Sequence, residues 1–407
     1  MTTEKSVFTG YHKLVIILLA LTQFSVVLDF MVLSPLGDLL MKSLHLSTSQ
    51  FGTVVSAYSL SAGVAGFLTA GFADSFDRKR LLLFFYIGFI IGTLFCGLSQ
   101  SYMQLVVARI VTGLFGGVIG SISMAIVADL FTLQQRGRVM GFLQMGFGAS
   151  QVLGIPISLF LAYNWNWKVP FFLIVGIALM IWLCVIILLK PINAHLKEKR
   201  SSSALNHLLK TLRNPEYRTG FFASALLSLG GFLIMPWGAA FSINNLHVTK
   251  SQLPIMFMVS GVSTLMIMPF IGKLSDKVDK FRLMWLATAW LMLIVVIYTN
   301  LIPVPFWLVV TLNVLLMMGV MSRMVPAMAL ITSLPTMPDR GAFMSINSSL
   351  QYVSGGIAAA IGGLIIQQKT PHSPIEHFDI LGYLMVIIAG TCIYLVYRVN
   401  KIIGKRS

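Results

Sequence analysis

Apolar runs of about twenty residues recur along the whole chain with short polar turns between them, and this pattern leaves few folds open. A helix rises about 1.5 Å per residue and the hydrocarbon layer of a bilayer is about 30 Å thick, so about twenty residues is the length of one crossing. Charged residues make up 10% of the chain, against roughly a quarter in soluble domains, which decides for the membrane. Twelve spans are expected, at about 14–35, 50–72, 81–100, 103–128, 139–162, 169–190, 219–242, 253–272, 282–300, 305–331, 342–366 and 378–398. The first begins near Lys13, contains Asp29 and is followed by no small-residue cleavage site, so it reads as a retained span and not as a signal peptide.

The basic residues test that count. With the N-terminus placed in the cytoplasm, only Lys42, Lys168, Lys250 and Lys369 of the 29 Lys and Arg fall in outer loops, and Arg109 and Arg323 fall within spans. One span more or fewer would reverse every later loop and scatter this asymmetry. Both termini are therefore expected to be cytoplasmic, in a bacterial-type inner (plasma) membrane. The net charge of +16 is then a topology signal and not a nucleic-acid footprint.

The chain also repeats itself. The charged turn from Ala70 to Arg80, with acids at Asp74 and Asp77, has an echo from Gly272 to Arg282, with acids at Asp276 and Asp279. Arg136-Gly137-Arg138 before span 5 is echoed by Arg340-Gly341 before span 11 at nearly the same offset, as in transporters built from parallel repeats. The expected organisation is an N-terminal half over 1–190, a linker over 191–218 and a C-terminal half over 219–407. Within the linker, Leu205, Leu208, Leu209 and Leu212 recur at helical spacing beside Lys210 and Arg213, which predicts an amphipathic helix lying on the membrane surface. Glycines inside the spans, such as Gly113, Gly116, Gly117 and Gly120, are read as close-packing surfaces.

The two charged turns resemble the loop signature of the major facilitator superfamily, small-x-x-small-Asp-basic-x-Gly-basic-basic. Ser75 stands where that signature has a basic residue, and Asp77 and Asp279 stand where it has Gly. The resemblance implies an all-α membrane protein with twelve transmembrane helices in two six-helix bundles. It also implies a central cavity ringed by spans 1, 4, 7 and 10, and alternating access. In span 5, Gly154-Ile155-Pro156 departs from the Gly-Pro-x-x-Gly-Gly element of the drug-antiporter branch. That form, like Trp167-Lys168 with Phe171, is closer to sugar- and metabolite-efflux relatives.

Ionisable groups inside lipid cost about 2.5–3.5 kcal/mol each on insertion scales, so the few that occur call for a reason. They are Asp29 in span 1, Arg109 and Asp129 in span 4, and Arg323 in span 10. Span 1 runs outward and span 4 inward, and their helical rise places Asp29 and Arg109 at similar depth, where they can meet. One reading is a permanent ion pair that locks two helices. The other is a carboxyl that takes up and releases a proton, with desolvation and the guanidinium pulling its affinity in opposite directions. Arg109-Ile110-Val111-Thr112-Gly113 resembles the family's span 4 motif, Arg-x-x-polar-Gly, which implies proton coupling.

Arg323 has no acid in its own half, so it is expected to face water, a partner, an anionic or hydroxyl-rich substrate, or backbone carbonyls. Asn313 lies one repeat offset after Arg109. Candidate cavity residues are Gln23, Asp29, Arg109, Trp237, Asn313 and Arg323. The resemblance further implies a cytoplasmic latch of Asp74, Arg78 and Asp129, with Asp276 and Lys280 as a thinner version in the second half.

No phosphate-binding loop, histidine pair or metal-ligand spacing is present, and Cys96, Cys184 and Cys392 lie within apolar runs. Neither an enzyme nor a cofactor nor a metal is expected. The expected partners are a small-molecule substrate, protons and the lipid bilayer, with no nucleic acid, and the protein is expected to be a monomer. The function expected is proton-coupled efflux of a small amphipathic compound, a drug or sugar-like metabolite. Two alternatives stay open: a facilitator or exporter of a lipid-like amphiphile without obligatory proton antiport, and a non-transporting membrane sensor.

Overall fold

The structure is a computed structural model that describes residues 8–69, 73–193, 196, 204–336, 339–370 and 373–404. Among these residues twelve helices are long and apolar enough to cross a membrane. Spans 1 to 6 are Gly10–Val32, Thr48–Thr69, Arg78–Leu98, Tyr102–Leu130, Arg138–Asn164 and Val169–Leu188. Spans 7 to 12 are Pro215–Asn244, Gln252–Ser275, Lys280–Thr299, Phe306–Thr332, Arg340–Ile365 and Phe378–Gly404.

The repeat is visible in the packing. Span 2 packs on 4, 3 on 4, 3 on 6 and 1 on 5, and the same pairs shifted by six, 8 on 10, 9 on 10, 9 on 12 and 7 on 11, pack in the second half. The halves meet through spans 2 and 11 and, symmetrically, through spans 5 and 8.

The helices differ from the sequence expectation at several places, each for a local reason. Span 3 starts at Arg78 because Asp77 Oδ1 accepts from the Arg80 backbone N–H at 3.0 Å, and Asp279 does the same for Arg282 at 2.7 Å at the start of span 9. The two acids that stand in for Gly are thus helix caps. The span 8 helix continues to Lys277, so the first part of the second charged turn is helical and not a loop. In span 5, Pro156 has no N–H, and the helix widens into a π turn at Ser150–Gly154. Pro236 breaks span 7 into a 3₁₀ turn at Met235–Trp237. A short helix, Gly37–Leu44, fills the first outer loop and was not expected.

The linker helix forms at Ala204–Arg213, and protein takes part of its apolar face. Leu208 and Leu212 pack into the core of the second half with Tyr217, Phe221 and Phe343. The side chain of Leu205 lies outside the described residues. At the same place His207 Nε2 lies 2.9 Å from Asp339 Oδ1, while the Tyr217 and Thr336 hydroxyls donate to Oδ2 at 2.8 and 3.0 Å.

These bonds, the one to His207 foremost, hold the Asp339 carboxyl below its ordinary value. A depressed carboxyl contributes its stability above the unfolded-state pKa and loses it as pH falls through the folded-state value, so the clamp is complete at neutral pH. Asp339→Asn is expected to speed amide exchange of the linker helix several-fold at pH 7, while the wild type loses its protection only as pH falls through and below the ordinary carboxylate range. Equal exchange in both would assign the docking to Leu208 and Leu212 alone.

The halves are sealed at the end away from the termini. Ser34 Oγ donates to the Met235 carbonyl at 2.5 Å, and Thr48 Oγ1 to the Ile366 carbonyl at 2.7 Å. Asn244 Nδ2 donates to Asp38 Oδ1 at 2.7 Å, and Lys42 Nζ bridges Asp38 at 2.9 Å and Asn244 Oδ1 at 3.3 Å. Spans 5 and 8 touch at the level of the π turn, where Gly148 faces Leu265 and Gly261 faces Gln151. Nearer the termini a Cβ on Gly141 or Gly272 would meet nothing.

Candidate functional site

Span 1 brings Asp29 and span 4 brings Arg109 into contact inside the first half. Arg109 Nη1 donates to Asp29 Oδ2 at 2.9 Å, and Thr93 of span 3 donates to Oδ1 at 3.2 Å. The side chains are 0% and 1% exposed, so neither is in contact with solvent in this conformation. The guanidinium lies 4.4 Å from the centre of the Tyr58 ring, a cation–π contact, and its Nε has no hydrogen-bond partner. Gly113 and Gly116 let span 4 approach close enough for this, since a side chain at either would run into Tyr58.

A buried pair of this kind is not needed for stability. Apolar replacements of similar volume are often neutral or stabilising by about 1–4 kcal/mol, whereas removing one partner costs about 3–5 kcal/mol. The arrangement can hold a proton-accepting carboxylate in one state and release it when the bundle rearranges.

The equivalent place in the second half is neutral. Asn313 Oδ1 accepts from Ser260 at 2.6 Å, Asn313 Nδ2 lies 3.4 Å from the Tyr298 hydroxyl, and Tyr298 meets Ser242 at 3.3 Å. Arg323 is 2% exposed and donates from Nη2 to the Leu227 carbonyl at 3.2 Å. Among the described residues no carboxylate pairs with it. Gly230 on span 7 leaves room for this guanidinium, which a Cβ there would approach to 3.4 Å.

The other candidates are scattered. Gln23 is half-buried on span 1 and faces Gly120 of span 4. Trp237 is fully buried in the seam between the halves, edge-on to Phe51 at 5.4 Å, and so is not on an open cavity wall. Between the halves, half-buried Phe30 meets Tyr58 at 5.2 Å, Phe232 at 5.6 Å and Tyr352 at 6.3 Å. This cluster joins spans 1, 2, 7 and 11 beside the ion pair and was not singled out in the sequence.

On the termini side Arg78 Nε lies 3.1 Å from Asp129 Oδ2, and Nη1 donates to the Ala73 carbonyl at 3.1 Å. Both partners belong to the first half. The side chains of Asp74 and Asp276 lie outside the described residues, and Lys280 is the first residue of span 9.

Sequence reasoning also missed the Asp38, Lys42 and Asn244 cluster. Its only signals were an acid and a base four residues apart and an Asn 206 residues beyond the acid, close to the repeat offset.

The Major Facilitator Superfamily profile matches residues 19–320 and 220–403. The chain therefore belongs to the major facilitator superfamily, and it is a multi-pass membrane transporter, not an enzyme. It is 25% identical over 365 residues to YceJ, an uncharacterised transporter of this type from Bacillus subtilis, covering 88% of this chain and 90% of that one. It is 22% identical over 397 residues to multidrug resistance protein 2 of the same organism, covering 96% of each chain. A probable sugar efflux transporter of Helicobacter acinonychis matches at 22% over 253 residues, 62% of this chain and 63% of the other.

The fold is shared with a bacterial homologue of the human lysosomal transporter Spinster in an inward-facing, unoccupied form. The TM-score is 0.77 at 13% identity, over 97% of this chain and 98% of that one. It is likewise shared with a D-xylose-proton symporter, with TM-score 0.77 and 16% identity over 94% and 97%.

Proposed function

We propose that this protein exports small amphipathic compounds by alternating access, driven by proton entry, with both termini in the cytoplasm of a bacterial inner membrane. The observation that carries the proposal is the Asp29–Arg109 pair, sealed in the first half while the matching position of the second half is neutral. Proton handling is assigned to the first half, and substrate contact to the space between the halves. The aromatic cluster around Phe30 suits an amphipathic substrate, because flat apolar rings accept varied shapes without fixed hydrogen bonds. Multidrug and sugar-efflux relatives support export of such compounds.

The polar seal at the outer end makes this conformation inward-facing in that orientation. In the outward-open state the turn carrying Asp74 and Arg78, already held on Asp129 here, would dock against the second half as the cytoplasmic latch. Arg78→Ala is expected to lower stability, since the Arg78 side chain is buried on Asp129, and Arg78→Lys, which keeps the charge, to stay folded; in either variant labelling of cysteines placed in the cytoplasmic half of the cavity should rise. Unchanged labelling would reduce the turn to a topology signal.

The function itself is tested by screening amphipathic drugs and sugars for uptake into inverted vesicles with an imposed pH gradient. Accumulation that follows the gradient is expected. Flux indifferent to the gradient would make the protein a facilitator, and no flux of any compound would favour a sensor.

A further inference from the structure

We propose that the groove between spans 9 and 12 on the termini side binds an acidic phospholipid of the surrounding leaflet, its phosphate on Arg282 and an acyl chain between the two helices. The groove is about 490 Å³, within the range of cavities that hold drug-sized ligands. Phe281, Trp285, Tyr394 and Tyr397 wall it, with Gly390 at its deep end and Arg282 at its mouth. From Tyr397 to Gly390 it reaches about 10 Å along span 12 toward the bilayer interior. Gly390 keeps that end open, because a Cβ there would meet nothing nearer than the Met292 methyl at 3.9 Å.

Span 9 begins at Lys280 and span 12 ends at Gly404, so Arg282 and the pair Phe281–Tyr397, 5.6 Å between rings, lie at the level of the headgroups. Amphipathic rings such as those of Trp285, Tyr394 and Tyr397 belong at that level. The groove faces lipid, and its occupant must present an anion at the mouth and hydrocarbon at depth.

The charge around the mouth selects the anion. Among the residues lining the groove Arg282 is the charged one, and the described carboxylate next to it in sequence, Asp279, spends Oδ1 on the Arg282 backbone N–H. Basic pockets between spans on the cytoplasmic side are where acidic headgroups bind. A zwitterionic lipid fits the same walls and offers the same phosphate, but its headgroup cation offsets the attraction at Arg282.

Trp285, 48% exposed in the groove, supplies the readout. The full-length protein is reconstituted in phosphatidylcholine with a small fraction of brominated phosphatidylglycerol or brominated phosphatidylcholine. Quenching at Trp285 is taken as the difference between wild type and Trp285→Phe. Brominated phosphatidylglycerol is expected to quench at an about five-fold lower mole fraction, the preference that one basic residue near the surface supplies. Arg282→Gln should equalise the two lipids, and Gly390→Leu should weaken quenching by both. Equal quenching in the wild type, a preference that survives Arg282→Gln, or quenching untouched by Gly390→Leu would each overturn the proposal.

Discussion

An Asp29→Asn variant is expected to fold, reach the membrane and bind substrate, yet lose transport driven by a pH gradient. The amide oxygen of Asn still accepts the Arg109 hydrogen bond that Asp29 accepts at 2.9 Å, and the guanidinium keeps its contact with the Tyr58 ring, so the helix contact is kept at a cost below the about 3–5 kcal/mol of an unpartnered buried charge, while the titrating group is gone. The opposite substitution behaves differently. Arg109→Gln leaves a carboxylate fully enclosed and without its cation, at a cost of about 3–5 kcal/mol, seen as lower expression and earlier thermal unfolding. Asp29→Asn with Arg109→Gln is expected to recover most of that stability, since the two effects are coupled through one contact, and to remain inactive with the gradient. A purely structural pair would give the other pattern, with transport returning along with the fold in the double variant.

A second large effect is expected at Gly52, where spans 2 and 11 touch near the outer seal. A Cβ there would lie 2.8 Å from the Ala359 carbonyl oxygen and 3.0 Å from Gly363 Cα, both backbone atoms that no rotamer change can move. Gly52→Leu therefore has to push the two spans apart. Overpacking of this kind costs about 1–3 kcal/mol, enough to shift the balance away from the outer-closed state by roughly five- to hundred-fold. Cysteines at Thr48 and Ile366, whose side chain and carbonyl are now 2.7 Å apart, should stop cross-linking in the Gly52→Leu background, and transport should fall at least ten-fold. Cross-linking as efficient as in the parent would mean that the seam does not move during the cycle.

Features set by local composition were legible in the chain. Apolar length and the bias of Lys and Arg gave twelve spans, and the repeated turns gave two related halves, because each signal is local or recurs at a fixed offset. Asp29 and Arg109 stood out because charge is so rare in these spans. What depends on pairing across the halves was not legible. The Asp38–Asn244 bond joins residues 206 apart, one in the first outer loop and the other at the outer end of span 7, with no composition to mark them.

Trp237 looked like a wall of the cavity by its place in span 7, but Pro236 turns the helix there and delivers the ring to Phe51 in the seam. The leucines of the linker helix carry the pattern of a membrane-surface helix, and the periodicity alone does not say whether lipid or the Phe343 cluster takes the apolar face. The cap role of Asp77 and Asp279 was masked because a departure from a familiar pattern does not announce what replaces it.

The central claim is that a proton moves against substrate through Asp29. Its most direct test is the pH inside proteoliposomes, followed with a trapped dye when a substrate from the vesicle screen is added with no gradient imposed. The wild type is expected to move protons opposite to the substrate in a fixed ratio, and Asp29→Asn to move none while still binding the substrate. Substrate flux with no proton movement in the wild type, or unchanged proton movement in a well-folded Asp29→Asn variant, would contradict it.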